Sequence, residues 1–509
     1  MKKLLITLML GLIFASTYAQ NEQDARQYAE TITKDDLYDY LSILASDALE
    51  GRETGTRGQK MAAAFIRHHF EELGLQAPVQ IGGMMSYYQP VALYTSRPGD
   101  IYVKVKEVRY DNFKDIIYYG SASTAGEVAS EVVFIGQGQE EDLKAADIKG
   151  KGVFAVIDNI QGARTVMEVA TRAGAKTVFL LSTSTDEEFA GVADQFKHWL
   201  SGGRLSVEKP SATSSSPGVF FLSPSVAEKL YGKSAVELKE AASAVDKKAA
   251  FKKIKPSGLT YKIQQNIELV QTENVLGYLE GTDKKDELLV ITAHYDHIGR
   301  DGEEINNGAD DDGSGVSAVI ELAEAFTKAK EEGKGPRRSI LFMLVTGEEK
   351  GLLGSEYYAA NPIFPLENTV VNLNIDMIGR VDPAHKDNPN YVYLVGSNRL
   401  STELHEISEK VNDTFTQFDL DYTYNDESHP DRIYYRSDHW NFAKNNIPVI
   451  FYFNGTHDDY HQPTDTIDKI NFEMLTKRAK LVFYTAWVLA NRDSRPVVDK
   501  LQDQKMGKN

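Results

Sequence analysis

The stretch LLVITAHYDHIG, residues 288–299, contains both the main fold signal of this chain and the start of its chemistry. Its first six residues form a continuous apolar run, which is typical of a strand covered on both faces. Comparable runs occupy residues 339–346, 369–375 and 447–453, and residues 316–328 and 474–490 have apolar residues at helical spacing. This alternation predicts an α/β fold with a mixed, mostly parallel central sheet and helices on both faces.

Polar side chains follow each of these apolar runs. They are His294, Asp296 and His297 after the first, Glu348 and Glu349 after the second, Asp376 after the third, and His457, Asp458, Asp459 and His461 after the fourth. Another acidic group, residues 310–312, lies in a glycine-bounded loop before the helix predicted at 316–328. Because ligands bind beyond the carboxyl ends of strands in such sheets, we expect these side chains to meet at one edge.

Histidine and carboxylate side chains gathered at one edge point to a metal site. A lone Asp or His after a strand is more often a turn residue or a helix cap. Several carboxylates packed together, however, would repel one another and raise their own pKa values, and a divalent cation removes that cost. The chain has no cysteine, so only nitrogen and oxygen ligands are available. Such a set suits Zn²⁺ first, with Co²⁺ or Mn²⁺ as substitutes, and it exceeds what one catalytic ion needs.

Five motifs occur in order along this half of the chain. They are AHYDHIG from Ala293, GADDDGSG from Gly308, TGEEKGLLGSEYY from Thr346, NIDMIGR from Asn374 and HQPTDT from His461. Together they resemble the co-catalytic two-zinc aminopeptidases, and the resemblance covers residues 261–490. It implies the phosphorylase/hydrolase-like fold of the zinc exopeptidases and two Zn²⁺ ions per chain.

The resemblance also implies a role for each matching residue. His294 and Asp376 would bind one zinc, Glu349 and His461 the other, and Asp311 would bridge the two. Glu348 would be the general base. Asp296 would stand behind the ligands and orient His294.

The substrate side of the resemblance is less complete. The stretch RSDHWNF places Ser437, Asp438 and His439 near the substrate, although His439 is as readily explained as a structural loop histidine. His297 departs from the serine often found at its position in the family, so substrate preference does not follow by analogy.

The rest of the chain predicts further segments. Residues 1–19 have the pattern of a cleaved signal peptide, and their apolar run is shorter than the ~20 residues that a membrane anchor needs. Residues 20–114 would open the peptidase domain, 256–495 would complete it, and 496–509 would be a tail. Between them, GEVASEVVFIGQG, IKGKGVFAVIDN and AGAKTVFLLS resemble an inserted, β-rich protease-associated domain over residues 115–255.

Charge limits the partners. Net charge is -18, with 56 Lys and Arg against 74 Asp and Glu, which disfavours nucleic acid and anionic lipid. We expect peptide substrates, no stable membrane insertion after signal cleavage, and a periplasmic or secreted protein. Oligomeric state stays open.

The sequence therefore predicts an exported metallo-exopeptidase, most simply an aminopeptidase. A carboxypeptidase, a dipeptidase or a glutaminyl cyclase could use the same scaffold. A binding protein that has lost catalysis is a third possibility, but such a protein would be expected to have lost ligands, and every expected ligand and the base are present.

Overall fold

The computed structural model describes residues 21–144, 147–160, 162–210, 218–426 and 428–501. The chain divides into two compact units, Met1–Ala92 with Gln271–Asn509, and Leu93–Val270. The predicted signal peptide, residues 1–19, and most of the predicted tail lie outside the described residues. No helix among the described residues is long and apolar enough to cross a membrane.

The first unit is built on a mixed sheet. Its strands lie in the order Tyr88–Pro98, Gln265–Leu279, Arg338–Val345, Lys284–His294, Thr369–Ile375, Val449–Phe453, Tyr391–Val395 and Asp419–Asp421. The four central strands, from Arg338–Val345 to Val449–Phe453, run parallel. Two short hairpins pair Val79–Ile81 with Met84–Ser86 and Arg300–Asp301 with Glu304–Ile305.

Helices cover both faces of this sheet. The helices of the first unit are 21–29, Lys34–Leu44, Arg57–Glu72, Gly315–Glu331, Leu353–Ala360, Thr402–Val411, His439–Ala443 and Phe472–Asn491. Short helical turns are Asp47–Arg52, Ala309–Ser314, Leu366–Asn368, Pro383–His385, Asn412–Thr416, Thr423–Asn425, Ile433–Tyr435 and Ile467–Lys469.

Alternate residues of each central strand point into different cores. Leu289 and Ile291 pack with the helices Gly315–Glu331 and Phe472–Asn491, whereas Leu288 and Val290 pack with Tyr358 and Phe442 on the other face. Burial of both faces explains why the strands appear in the sequence as unbroken apolar runs. The predicted α/β class is confirmed, and the four central strands begin and end within four residues of the predicted positions.

The second unit holds two further sheets. One has the order Ile116–Tyr119, Val219–Leu222, Thr177–Leu181, Gly152–Val156 and Val132–Phe134, and the other has the order Val108–Asp111, Tyr102–Val105, Leu259–Lys262 and Val128–Ser130. The strand Arg204–Ser206 pairs with residues 94–96. The helices are Glu140–Lys144, Gly162–Arg172, Asp186–Ser201, Pro224–Tyr231, Ala235–Ala242 and Lys247–Lys252.

The second unit differs from the predicted insertion in content and extent. Apolar residues of helices pack on both faces of its first sheet, whereas the sequence predicted a β-rich domain. The unit also extends beyond the predicted residues 115–255, because the strands Tyr102–Val105 and Leu259–Lys262 pair with each other. Its assignment as a protease-associated domain stays a prediction.

Candidate metal centre

The carboxyl ends of the parallel strands bring the predicted side chains to one edge of the sheet. His294 is the last residue of its strand and lies opposite Val345, which ends the neighbouring strand. Asp376 follows Ile375, and the chain beyond Val345 turns at once to Glu348. The expected convergence is therefore present.

The three aspartates before the helix Gly315–Glu331 have different environments. Asp312 accepts hydrogen bonds from the backbone N–H groups of His294, Gly315 and Met377. Asp310 accepts from the N–H of Gly379 at 2.6 Å and from the Ser314 hydroxyl at 3.0 Å. These two side chains hold the loop in place.

Asp311 is the aspartate that faces the histidines. Its Oδ1 lies 3.2 Å from Nε2 of His294, and its Oδ2 lies 3.1 Å from Nε2 of His461. Oδ2 is buried and has no hydrogen-bond partner in the described part of the chain. Asp465 fixes the loop backbone, because the N–H groups of both Asp310 and Asp311 donate to its Oδ2, at 3.0 and 3.2 Å.

The first group of possible ligands is His294, Asp311 and Asp376. Nε2 of His294 lies 3.6 Å from Oδ1 of Asp376. The other oxygen of Asp376 accepts a hydrogen bond of 2.6 Å from the Ser437 hydroxyl. The other ring nitrogen of His294 lies 3.0 Å from the backbone carbonyl of Asp296, which leaves Nε2 facing the two carboxylates.

The second group surrounds Glu349. His297, Asp311 and Glu349 offer ligand atoms close together, and His461 lies beside the same two carboxylates. Nε2 of His461 is 3.0 Å from Oε2 of Glu349, and it makes no hydrogen bond to the residues that the structure describes. Nδ1 of His297 is 2.8 Å from Oε1 of Glu349. Asp311 is common to both groups.

Glu348 lies beside these groups and belongs to neither. Its Oε2 is 4.0 Å from Nε2 of His294. Its backbone N–H donates to Oδ1 of Asp296 at 3.2 Å, and the Thr54 hydroxyl donates to Oδ2 of Asp296 at 2.7 Å.

The expected contact between the Asp296 carboxylate and His294 is not made. Oδ1 of Asp296 lies 4.0 Å from Nδ1 of His294, and the backbone carbonyl of Asp296 takes the ring N–H in its place. The carboxylate is engaged by Thr54 and by the backbone of Glu348. Asp296 thus contacts His294 through its backbone carbonyl and the Glu348 backbone through its carboxylate.

The three residues predicted on the substrate side are all buried. Ser437 bonds to Asp376, and Oδ1 of Asp438 accepts a hydrogen bond of 2.5 Å from Ser355. Nε2 of His439 donates to the carbonyl of Tyr434 at 2.8 Å, and burial lowers the pKa of His439 to about 3, so its ring is neutral. These contacts support the structural alternative for His439, and a substrate role for the three stays a prediction.

A cleft opens above His294, Asp311, Glu348 and Asp376. Its remaining walls are formed by Met377, Ile433, Arg436, Phe451, Phe453, Thr456 and Tyr460. Most of these side chains are apolar or aromatic. Met377 and Arg436 lie in the quoted stretches NIDMIGR and RSDHWNF, whereas Ile433, Thr456 and Tyr460 had no sequence signal.

The charges at the site attract a cation. Burial raises the pKa of Glu348 well above its ordinary value, and the nearby Glu349 and Asp376 add to the rise. Although burial opposes a charged imidazole, the adjacent Asp311 and Glu349 raise the pKa of His461 to about 10. Glu348 and Asp376 likewise raise the pKa of His294 against the effect of burial.

The residues present fit a metal. Buried oxygen and nitrogen atoms without hydrogen-bond partners, Oδ2 of Asp311 and Nε2 of His461, face each other. Imidazole and carboxylate donors of this kind suit Zn²⁺. A bound divalent cation would satisfy these unpaired atoms and offset the repulsion among the surrounding carboxylates.

Two supporting residues come from the start of the chain. Thr54 contacts Asp296 across 242 positions of sequence. Arg52 is buried, and its guanidinium donates to the carbonyls of Leu44, Tyr295, Asn307, Gly308 and Asp311. Neither contact had a local sequence signal. Asp465 had one, because it lies in HQPTDT.

Known proteins resemble this chain in sequence and fold. Residues 274–486 match Peptidase family M28. "Aminopeptidase YwaD" of Bacillus subtilis is 24% identical, with 99% of this chain and 97% of that protein aligned. A "Probable zinc metalloprotease" of Pyrenophora teres f. teres is 27% identical over 45% of this chain and 53% of its own length. The structure described as "Aminopeptidase from Aneurinibacillus sp. strain AM-1" has a TM-score of 0.55 at 19% identity, covering 94% of this chain and 98% of that one.

The fold and the donor set agree with the metallo-exopeptidase that the sequence predicts. Family M28 matches residues 274–486, and the predicted resemblance to the zinc aminopeptidases is confirmed. Against several other curated relatives it spans about half of their length or much less.

Proposed function

We propose that the chain is a zinc-dependent aminopeptidase that removes residues from the amino terminus of peptides. The observation that carries this proposal is the pair of ligand groups that share Asp311, with Glu348 beside them on the cleft. The relatives described as aminopeptidases and as a zinc metalloprotease support the reaction class and the metal.

Two ions would be held by five side chains. His294 and Asp376 would hold one and Glu349 and His461 the other, with one oxygen of Asp311 facing each side. Zn²⁺ at such a site polarises the scissile carbonyl and makes hydroxide available near neutral pH. Co²⁺ or Mn²⁺ would suit the same nitrogen and oxygen donors.

Glu348 would act as general base. It faces the cleft without belonging to a ligand group, and the Asp296 carboxylate fixes its backbone. A carboxylate in this position can take a proton from the attacking water and then give it to the leaving amine.

Replacing Glu348 with Gln tests the assignment of the base. We expect the Glu348→Gln variant to keep its zinc and to lose about 10²–10⁴-fold in kcat, because the shape remains and proton transfer is lost. Glu349→Gln is the matched control, since it changes a proposed ligand next door and should lower zinc content. A zinc-replete Glu348→Gln protein with full activity would defeat the assignment.

Substrate choice tests the reaction. Zinc-loaded protein should cleave peptides with a free amino terminus and leave the same peptides untouched when the amine is blocked. Equal cleavage of both would point to one of the other reactions that this scaffold supports. A peptide-library digest read by mass spectrometry would then define the preferred side chain.

Export is part of the proposal on the sequence of residues 1–19 alone. Amino-terminal sequencing of the protein recovered from the periplasm or the medium should begin near residue 20. Recovery of a full-length chain in the cytoplasm would contradict it.

A further inference from the structure

His297 is a buried histidine to which the motif resemblance assigns no role. It lies three residues beyond His294, and its backbone N–H donates to the carbonyl of Arg52 at 3.1 Å. That contact fixes the chain where it leaves the sheet. The side chain of His297 is fully buried, so its position is determined by contacts with other protein groups.

The ring of His297 contacts the oxygen of Glu349 that His461 does not contact. Nδ1 of His297 lies 2.8 Å from Oε1 of Glu349, while Oε2 of the same carboxylate lies 3.0 Å from Nε2 of His461. The two oxygens of Glu349 are therefore divided between two imidazoles. Nδ1 of His297 is also 3.8 Å from Oδ2 of Asp311, too far for a hydrogen bond.

The ring sits in a slot that the glycine-rich loop leaves open. A Cβ atom at Gly308 would lie only 2.6 Å from Cδ2 and 2.7 Å from Cγ of His297, so no larger residue fits there without displacing the ring. Nε2 of His297 is buried and has no hydrogen-bond partner among the described residues. The polar bond that this side chain makes is thus the one to Glu349.

We propose that His297 is a positioning residue for Glu349. Its Nδ1–H holds Oε1 so that Oε2 is presented toward Asp311 and His461. The inference rests on the proposed function, in which Glu349 and His461 hold the second ion. Hydrogen-bonding partners of metal ligands fix the orientation of those ligands, and losing one weakens metal affinity by about 10–100-fold.

Three substitutions separate this role from its alternatives. The amide nitrogen of Asn can occupy the place of Nδ1, whereas that of Gln occupies the place of Nε2. Competition with a chromophoric zinc chelator would measure both zinc dissociation constants for wild type and for His297→Ala, His297→Asn and His297→Gln. We expect His297→Ala and His297→Gln to weaken one of the two ions about 10–100-fold, and His297→Asn to recover most of that loss.

Thermal unfolding of the chelator-treated proteins accompanies the titration. Similar melting temperatures for the variants would show that the change in affinity is not a loss of folding. If His297→Ala does not fold, the comparison of Asn with Gln carries the test alone.

Two results would overturn the inference. Unchanged affinity for both ions in every variant would mean that Glu349 needs no help, and a His297→Asn variant as weak as His297→Ala would mean that the ring acts by something other than Nδ1–H donation. Wild-type protein that binds only one zinc would instead overturn the proposed two-ion site, so the two failures are distinguishable.

Discussion

The acidic loop allows a sharp test, because its aspartates have separate tasks. The carboxylate of Asp312 accepts three backbone hydrogen bonds, from His294 at 3.2 Å, Gly315 at 2.9 Å and Met377 at 3.0 Å. Asp311 accepts no such backbone bond among the described residues, and its oxygens face imidazole nitrogens at 3.1 and 3.2 Å. Substituting each by Ala should therefore affect different properties.

The loss of stability can be worked out from these contacts. Asp312→Ala leaves three buried N–H groups unpaired, at about 1–3 kcal/mol each. Burial raises the pKa of Asp312, so its charged form is unfavourable there, and removing the carboxylate offsets part of the stability lost with the three hydrogen bonds. We expect the lower end, a loss of about 3 kcal/mol in the free energy of unfolding. Asp311→Ala should stay within about 1 kcal/mol, since it breaks none of these bonds.

Urea unfolding of chelator-treated protein measures the stability, and zinc per chain is measured on untreated protein. Asp311→Ala should unfold like wild type and bind less zinc, whereas Asp312→Ala should be clearly less stable. An equal loss of stability in the two variants would refute the division of tasks. If Asp310→Ala is inactive while Asp311→Ala keeps its zinc and its activity, then Asp311 is not the bridging aspartate.

Two further predictions concern buried ionisable side chains that are not proposed as metal ligands. Glu321 is 1% exposed, its Oε2 accepts the Thr33 N–H at 3.0 Å, and burial raises its pKa from 4.5 to about 8. Its contribution to stability is fully present below about pH 4.5 and is lost as the pH rises through about 8. In urea unfolding, the free energy of unfolding of Glu321→Gln should thus exceed that of wild type by roughly 2–4 kcal/mol at pH 8 and equal it near pH 4. Parallel pH dependences of the two proteins would contradict this prediction. Arg52→Met should lower the free energy of unfolding by about 3–5 kcal/mol, because it leaves buried carbonyls unpaired, and Arg52→Lys should lower it less. A melting temperature of Arg52→Met within a few degrees of wild type would contradict this prediction.

The central strands were predictable from the sequence because their physical demand is local. The strand Thr369–Ile375 occupies the residues that its apolar run predicted, since a strand buried on both faces needs an apolar side chain at nearly every position. The limits of the second unit were not predictable in this way. They depend on pairing between Tyr102–Val105 and Leu259–Lys262, and neither segment indicates its partner.

The positions of the proposed metal ligands were predictable for the same reason. A residue directly after a buried parallel strand must lie at the sheet edge, which located His294 and Asp376 before any contact was known. The choice among Asp310, Asp311 and Asp312 depends on the loop backbone. That backbone has non-helical φ/ψ at Asp311 and Asp312 within a helical turn, and no spacing rule predicts which carboxylate it turns outward.

Asp296 illustrates a further limit, which concerns atoms and not residues. A carboxylate behind a metal-binding histidine is the expected arrangement, and the residue is where that arrangement requires it. The backbone carbonyl nevertheless takes the His294 ring N–H, while the side chain holds Thr54 and the Glu348 backbone. Any residue at position 296 would offer that carbonyl to His294, but only an acceptor side chain can hold the loop that carries Glu348. The need for aspartate at 296 therefore arises from the placement of the proposed base, and a sequence motif alone would have assigned it to the metal.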